Sequence, residues 1–290
     1  MNETNADRPL RAMLTILGAV FCFTMSDAMA KWLGRSLPVV QINWVRYLVF
    51  VPFALVLVRS TAGGRLRVRY PGLQLARGVL LAVSALMFVA AIQLMPLAEA
   101  TSVGFVSPLL ITGLSVLVLG EVVRLRRWMA IVVGLLGVLV IVRPGTEAFQ
   151  PAALLVLGSS SSWAVAVVLT RRMAGLDPTA TTLLWSAVVG LAAMSLVLPF
   201  EWVWPAPADW ALGIALGLVA SAGQYLMVQA YRFAPASLLA PFSYSSLLWS
   251  TLLGWALFGG LPDIWTLAGA VVIVASGLVA ARPERKPESP

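Results

Sequence analysis

Three charged side chains, Asp27, Lys31 and Arg46, fall within long apolar stretches of the sequence. An isolated ion at the middle of a hydrocarbon layer costs at least ~2.5–3.5 kcal/mol, so each charge is expected to have a partner. The spacing predicts an Asp27–Arg46 ion pair between two neighbouring helices, with Lys31 one helical turn from Asp27. Such a pair could lock the two helices together. Alternatively, Arg46 or Lys31 could bind a carboxylate while Asp27 carries a proton.

Small polar and aromatic side chains recur at helical spacing in several other apolar stretches, where they could line one cavity. Glutamine and tyrosine need hydrogen-bond partners at that depth, whereas serine and threonine can bond to their own helix or to a neighbour. Both interpretations stay open for each residue. The candidates for a ligand-binding wall are Phe105, Ser159, Ser162, Trp163, Gln224, Tyr225, Gln229, Ser243, Tyr244 and Trp249, together with Arg46.

Two prolines inside apolar stretches, Pro108 and Pro241, each remove an intrahelical hydrogen bond and free a carbonyl group. In lipid, that carbonyl must be satisfied by protein or by cavity water. The resulting bend could merely shape the packing, or it could let one part of the bundle tilt against another. Glu121, beside a basic segment, is expected to form a packing or gating contact. Together with Asp27 and Lys31, these residues are the candidates for gating and coupling.

The composition excludes several functional classes. The 290 residues contain no histidine and one cysteine, Cys22, so we expect no Cys/His metal site, no disulfide framework and no His-based catalysis. No second carboxylate lies deep in a span to form a catalytic pair, which argues against an intramembrane enzyme. A membrane scaffold or sensor would have no use for repeated polar stripes. We therefore expect a non-enzyme without metal or cofactor.

Hydrophobic residues make up 60% of the chain and charged residues 11%, which is typical of a protein solvated by lipid. A membrane-spanning helix needs ~20 mostly apolar residues. On this scale the sequence predicts an all-α membrane protein. Its ten transmembrane helices are expected at residues 11–32, 38–58, 72–94, 98–119, 128–143, 152–171, 179–200, 208–232, 236–258 and 264–281.

The net charge of +8 does not indicate a nucleic-acid partner, because the basic residues lie in short segments between apolar spans. With the N-terminus inside, sixteen of the 20 Lys and Arg residues, Arg77 among them, fall in cytoplasmic segments and only three in external ones. Both termini are therefore expected in the cytoplasm, with the lipid bilayer as a partner. Residues 1–9 lack a cleavage signal, so we expect the first span to be retained.

Residues 91–120 and 230–259 read as two copies of one segment, offset by a constant 139 positions. The matched residues are Ala91 and Ala230, Pro96 and Pro235, and Gly120 and Gly259. A repeating unit of five spans, an odd number, must enter the membrane from opposite sides in its two copies. We therefore predict two inverted five-helix halves, residues 1–147 and 148–290, that enclose a central cavity and together form one domain.

Four stretches, in this order along the chain, are similar to those of the drug/metabolite transporter superfamily in its EamA-type ten-helix branch. They are residues 21–31 with a terminal Lys, 38–47 with an Arg before an aromatic residue, 98–121 ending in Gly-Glu, and 235–260, which repeats the last pattern. Gly260 stands where the family often has an acidic residue, so no functional acid is expected there. The resemblance extends over residues 11–281.

The resemblance implies a secondary transporter of the bacterial inner membrane that exports small metabolites by alternating access. The abundance of Trp and small polar residues looks most similar to YddG-type amino-acid exporters, which implies aromatic or other neutral amino acids as substrates. The alternative is an exporter of other small metabolites or of cationic drugs, because aromatic rings beside a lone Asp can attract cations. Whether Asp27 couples transport to protons stays open at this point.

Overall fold

The computed structural model describes residues 7–61, 68–119, 125–143, 145, 150–173, 177–233, 239 and 242–281, and over these ranges its regular secondary structure is entirely helical. The helices are α1 (Asp7–Leu33), α2 (Val39–Thr61), α3 (Pro71–Leu94), α4 (Leu97–Gly104), α5 (Ser107–Leu119), α6 (Leu125–Val142), α7 (Ala152–Arg172), α8 (Thr179–Val197), α9 (Pro207–Phe233), α10 (Ser245–Phe258) and α11 (Ile264–Ala281). A 3₁₀ turn, Leu198–Phe200, follows α8.

Each predicted span coincides, at least over its larger part, with observed helix, which confirms the all-α fold. Seven spans are long and apolar enough to cross a membrane by length and composition. Three apolar helices are shorter, at Trp128–Val142, Ser245–Phe258 and Ile264–Ser276. That all ten cross the bilayer, with both termini in the cytoplasm, stays a prediction.

The fourth predicted span is not one continuous helix, because α4 ends at Gly104 and α5 begins at Ser107. Pro108 lies in the first turn of α5, where its ring would collide with the carbonyl of Gly104 in an uninterrupted helix. The Ser107 hydroxyl donates a 2.7 Å hydrogen bond to that freed carbonyl. The carbonyl that Pro108 is predicted to free is therefore present, and a protein hydroxyl satisfies it. Pro241 and Glu121 lie outside the described residues.

The helix ends repeat in the register that the sequence predicts. α1 and α7 end at Leu33 and Arg172, 139 positions apart. α2 and α8 begin at Val39 and Thr179, 140 positions apart, which is within one residue of the same offset. The same offset therefore holds well outside the segment in which it was recognised, which supports a duplicated five-helix unit. We refer to α1–α6 and α7–α11 as the first and second half.

Most helix packing occurs between the halves rather than within them. α1 packs against α9, and its counterpart α7 packs against α3. In the same way, the α2–α9 contact corresponds to α8–α3, and the α1–α10 contact corresponds to α7–α5. α2 packs against α8, and α6 against α11, so each of these pairs is its own counterpart. The packing thus follows a pseudo-twofold relation between the halves.

The close approach of α6 and α11 depends on glycine. A Cβ atom at Gly269 would lie 2.6 Å from the carbonyl oxygen of Gly137 and 2.5 Å from the Ile141 side chain. A Cβ atom at Gly137 would lie 2.9 Å from Ile273. Small residues let helix backbones approach closely in lipid, where packing rather than the hydrophobic effect drives helix association. α6 and α11 therefore form a tightly packed pair.

An ion pair joins the end of α6 to the start of α11. Nη2 of Arg143 lies 2.6 Å from Oδ2 of Asp263, whose Oδ1 accepts a 2.8 Å hydrogen bond from the backbone N–H of Thr266 and so caps α11. Partial burial raises the pKa of the Asp263 carboxyl, but the Thr266 hydrogen bonds and the Arg143 charge lower it by more, so this pKa lies below its ordinary value. The carboxylate form that makes both contacts is thus favoured.

Replacing Gly269 with alanine should destabilise the protein, because the added methyl group would collide with the α6 backbone. Overpacking of this kind costs about 1–3 kcal/mol. The midpoint of thermal unfolding of the purified protein in detergent should fall accordingly. Gly113→Ala in α5 is the matched control, because a Cβ atom there meets nothing within 4 Å and alanine favours helix over glycine. A Gly269→Ala midpoint at or above that of the control would contradict this packing.

Candidate functional site

A cavity of about 640 Å³ lies between the two halves, with a described wall drawn from α1–α5 and from α7, α8 and α9. A second cavity, of about 280 Å³, adjoins it and has α10 in its wall. The residues common to both walls are Phe23, Asp27, Phe88, Gly104 and Met227. No described residue of α6 or α11 lines either cavity. The α6–α11 pair is therefore separate from the helices whose described residues enclose the cavities.

The ion pair predicted from the sequence is present. Nη2 of Arg46 on α2 lies 3.3 Å from Oδ1 of Asp27 on α1, and both residues line the larger cavity. The Arg46 side chain is 18% exposed and that of Asp27 is 26% exposed. Nε of Arg46 is buried without a hydrogen-bond partner. The pair thus joins two helices of the first half and at the same time presents both charges to the cavity.

Lys31 does not join this pair, which corrects the grouping suggested by its position one turn from Asp27. Its ammonium group donates hydrogen bonds to the backbone carbonyls of Ile92 and, at 2.9 Å, of Met95. The last carbonyls of a helix have no intrahelical partner, and α3 ends at Leu94. Lys31 therefore satisfies the C-terminal end of α3, and it is absent from the described walls of both cavities.

Five of the predicted aromatic and small polar residues do line a cavity. Ser159, Trp163 and Gln224 line the larger one, and Phe105 and Ser243 line the smaller one. Ser159 also fixes the crossing of α7 with α3. Its hydroxyl donates a 2.8 Å hydrogen bond to the carbonyl of Ser84, whose hydroxyl in turn donates a 2.9 Å bond to the carbonyl of Ser159.

Five further candidates are absent from the described walls of both cavities: Ser162, Tyr225, Gln229, Tyr244 and Trp249. Successive helix positions are rotated by about 100°, so the neighbours of Trp163 and Gln224 in the chain, Ser162 and Tyr225, point elsewhere. Tyr225 is 44% exposed. Tyr244 packs against Phe105 with ring centroids 5.1 Å apart, so it supports the smaller cavity from behind.

Trp249 belongs to the packing between α10 and α1 rather than to a cavity wall. Its ring meets Phe21 edge to face, with centroids 5.1 Å apart, and it packs against the buried cluster around Ile16. Its indole Nε1 is buried without a hydrogen-bond partner. Gln229, five positions beyond Gln224 on α9, is half-buried. Both residues therefore lie outside the described cavity walls.

Arg77 is the main residue of the larger cavity that sequence reasoning misplaced. We counted it with the cytoplasmic charges, but it lies on α3, is only 9% exposed and lines the cavity. A usable signal was present, because Gln74, Arg77 and Ser84 recur at helical spacing on one face of α3. Tyr47 and Ser186 also line the cavity and were not predicted. Without Arg77, the predicted cytoplasmic segments still contain many more Lys and Arg residues than the predicted external segments.

The described residues contain no group of three or more His, Cys, Asp or Glu side chains that could hold a metal ion. The groups available in the walls are instead one carboxylate, two guanidinium groups, several hydroxyls, one amide and aromatic rings. Such a set can bind a small polar molecule through charge and hydrogen bonds.

The two halves can now be compared with known proteins. The EamA-like transporter family matches this chain twice, at residues 10–143 and at residues 150–282. The chain belongs to the EamA-like transporter family. This confirms the family recognised from the sequence, and the two matches correspond to the first and second half. The likeness to YddG-type exporters of amino acids stays a prediction.

Several characterised relatives of this EamA protein are transporters over nearly their whole length. It is 27% identical to an S-adenosylmethionine uptake transporter of Rickettsia prowazekii (strain Madrid E), over 95% of this chain and 96% of that protein. It is 29% identical to a riboflavin transporter of Rhizobium johnstonii, over 99% and 98%. It is also 29% identical to the pseudopaline exporter CntI of Pseudomonas aeruginosa, over 94% and 96%. These relatives support a small-molecule membrane transporter rather than an enzyme.

A solved crystal structure supports the same fold. It superposes on this EamA protein with a TM-score of 0.65 at 24% sequence identity, covering 93% of this chain and 96% of the other. The agreement over nearly the whole length concerns the arrangement of helices in both halves. It carries no information on substrate.

The structure separates Gln224 from Tyr225, and thiol labelling should do the same. In a protein whose native Cys22 is replaced by alanine, Gln224→Cys should react with a charged, membrane-impermeant thiol reagent, because the residue lines the cavity and thiolate reactivity requires water. Tyr225→Cys, at the adjacent position, should react much more slowly. The Tyr225 side chain is exposed, but it lies outside the described cavity walls. Equal labelling rates in membrane vesicles would contradict this assignment of the two faces of α9.

Proposed function

We propose that this protein transports small zwitterionic metabolites of the amino-acid class across the bacterial inner membrane by alternating access. The observation that carries the proposal is the Asp27–Arg46 ion pair, 3.3 Å apart and partly exposed to a cavity of about 640 Å³. Ligand cavities typically measure about 300–1,000 Å³. The cavity is thus of a size that suits a small metabolite and offers both signs of charge.

A zwitterion fits this cavity because each of its two charges can meet a side chain of opposite sign. In the empty protein, Asp27 and Arg46 compensate each other, which avoids the cost of an unpaired charge in a low-dielectric interior. An incoming ammonium group can bind Asp27 beside Arg46, while a carboxylate binds a guanidinium group of the cavity wall through charge-assisted hydrogen bonds. Each charge of the zwitterion then has a partner, so the zwitterion can enter without a large electrostatic penalty.

The rest of the wall suits an apolar or aromatic substrate side chain. Phe23, Phe50, Phe88 and Trp163 bring aromatic rings to the larger cavity. Aromatic pairs and cation–π contacts contribute roughly 0.5–1.5 kcal/mol each, with preferred rather than strict geometries. Ser84, a hydroxyl in the same wall, supplies a hydrogen-bonding group. This combination of rings and hydroxyls supports aromatic and other neutral amino acids as substrates.

One substrate named among the relatives is compatible with this proposal, and the relatives do not agree on the direction of transport. S-adenosylmethionine, named for the Rickettsia relative, contains an α-amino acid group and a sulfonium cation. One relative is named for uptake and another for export. Export, as in our interpretation of the sequence, is the direction we propose, and flux in both directions is the measurement that tests it.

Alternating access would use the boundary between the halves. The cavity walls come from both halves, and the break between α4 and α5 lies in the wall at Gly104. On the side predicted to be external, Lys31 holds α1 to the end of α3, and Trp32 packs against Phe258 of α10 with ring centroids 6.1 Å apart. Tilting one half against the other would separate the α1–α10 contact and open the cavity toward that side. In this proposal both termini lie in the cytoplasm.

A second candidate is a carrier of other small metabolites or cationic drugs. The observation in its favour is that Asp27 shares the walls of both cavities with the rings of Phe23 and Phe88. A carboxylate beside aromatic faces attracts organic cations. Uptake of a quaternary ammonium compound, together with no uptake of any amino acid, would favour this candidate.

Transport by purified protein in liposomes tests the proposal. At least one neutral amino acid from a labelled panel should be transported in both directions, and Arg46→Gln should lower this transport by tenfold or more, because Asp27 then lacks its partner. That factor corresponds to about 1.4 kcal/mol. Arg143→Gln is the matched control, since it removes the same group from an ion pair outside the described cavity walls. Equal transport by both variants, or none of any amino acid by the native protein, would contradict the proposal.

Proton coupling through Asp27 gives a separate prediction. If Asp27 is the proton carrier, a pH gradient should drive accumulation of substrate by the native protein, and Asp27→Asn should abolish that response while retaining exchange between equal substrate pools. Glu99→Gln provides the control, because Glu99 is absent from the described cavity walls. Accumulation driven equally by the gradient in Asp27→Asn and in the native protein would exclude this role.

A further inference from the structure

Arg77 is a buried cation whose protein partners are all neutral. Its Nε donates a 2.6 Å hydrogen bond to the hydroxyl of Thr170 on α7. Its Nη1 donates to the carbonyl of Thr182 on α8, at 3.3 Å, and to the hydroxyl of Ser186. No described carboxylate forms an ion pair with it. The contacts hold the guanidinium group in place but do not neutralise its charge.

The two hydroxyl partners are themselves oriented to accept. Thr170 donates its proton to the carbonyl of Ala166 at 2.7 Å, and Ser186 donates its proton to the carbonyl of Thr182 at 2.8 Å. Each oxygen therefore has only lone pairs left for Arg77. This arrangement fixes the direction of the guanidinium fork. Nη2 makes no hydrogen bond to the described protein, and it is not among the buried polar atoms that lack a partner. It is therefore open to the cavity.

The described wall of the larger cavity consequently has more basic than acidic side chains. The acidic and basic side chains among its described residues are Asp27, Arg46 and Arg77. Asp27 can neutralise one of the two arginines, and it is bonded to Arg46. One positive charge stays uncompensated in a compartment where desolvation is costly. A bound anionic group would compensate it.

We infer that Arg77 binds the anionic group of the transported molecule, so that the substrate carries a carboxylate or a similar anion and is not a simple cation. The inference rests on the proposed function in that it concerns the same cavity. It adds that the carboxylate binds at Arg77 on α3, while the Asp27–Arg46 pair on α1 and α2 receives the ammonium group through Asp27. Nη2 is the free donor, and the planar guanidinium group suits a carboxylate.

The position of Arg77 would also couple the binding of a charged ligand to the contact between the two halves. Arg77 belongs to the first half, whereas Thr170 and Thr182 belong to the second. An anion at Nη2 would partly neutralise the guanidinium charge and so weaken its attraction to Thr170 and Thr182 across the boundary. The same side chain would thereby bind the ligand and contribute to the contact between the halves.

Charge-selective labelling tests the cavity potential without any substrate. In a Cys22→Ala background, Leu81→Cys places a thiol in the cavity wall one turn from Arg77. The measured quantity is the labelling rate with an anionic, sulfonate-bearing methanethiosulfonate divided by the rate with its trimethylammonium analogue. We expect this ratio to be roughly five- to tenfold higher for the Leu81→Cys thiol than for 2-mercaptoethanol in solution. Adding Arg77→Gln should remove this preference. Adding Arg171→Gln, which deletes an arginine outside the described walls, should not.

Three probes then test which group of a ligand binds. L-phenylalanine, 3-phenylpropanoate and phenethylamine carry both charges, only the carboxylate and only the ammonium group, respectively. L-phenylalanine and 3-phenylpropanoate should slow labelling of Leu81→Cys by a neutral reagent, and Arg77→Gln should abolish that protection, whereas Arg77→Lys should retain part of it. These measurements on the native Arg77 stand even if Arg77→Gln fails to fold.

The outcomes separate this inference from the proposed function. A reagent preference that is independent of Arg77, or protection by phenethylamine alone, overturns the inference. A preference that depends on Arg77 without protection by any of the three probes supports an anion site and contradicts an aromatic amino acid as substrate. A merely structural role for Arg77 would leave protection by L-phenylalanine and 3-phenylpropanoate unchanged in every correctly folded variant.

Discussion

Charge inside a lipid-solvated bundle is the constraint on which the rest of this structure depends. Asp27, Arg46 and Arg77 lie in membrane-spanning helices, where an unpaired charge is costly. The protein meets the constraint in two ways: by an ion pair, and by a guanidinium group held between neutral hydroxyl and carbonyl groups. Both solutions need space beside the charges that is not filled with hydrocarbon. The cavity between the halves provides that space.

The packing of the helices divides the bundle into a part that encloses the cavity and a closely packed part that contributes no described residue to its walls. α6 and α11 approach until Gly137 and Gly269 leave no room for a methyl group. The crossing of α3 with α7 is instead fixed by reciprocal hydrogen bonds between Ser84 and Ser159, which also line the cavity. Close packing by glycine and hydrogen bonding by serine both associate helices in lipid, but only serine leaves polar atoms beside the cavity.

The sequence predicted the helices, the repeat and the Asp27–Arg46 pair because each rests on a local pattern or on a large energy. Apolar length defines a span, a constant offset defines a repeat, and two buried opposite charges must meet. Lys31 and Tyr225 were harder to interpret, because spacing gives the depth of a side chain but not the element it faces. Lys31 faces the end of α3, a tertiary contact between positions about sixty residues apart. Arg77 was misplaced because a charge in a loop and a charge in the second turn of a helix look alike in a sequence.

The duplicated halves have the same helices but not the same charges. Applying the offset of 139 positions to Asp27, Arg46 and Arg77 leads to Ala166, Trp185 and Leu216, all uncharged. Among the described wall residues, the first half therefore supplies the acidic and basic groups, and the second supplies neutral groups such as Trp163, together with the Arg77 partner Thr170. A ligand bound by charge would stay with the first half while the second half moves past it. The repeat gives the two halves the same arrangement of helices. The difference in charge favours the first half as the one that would bind a charged ligand.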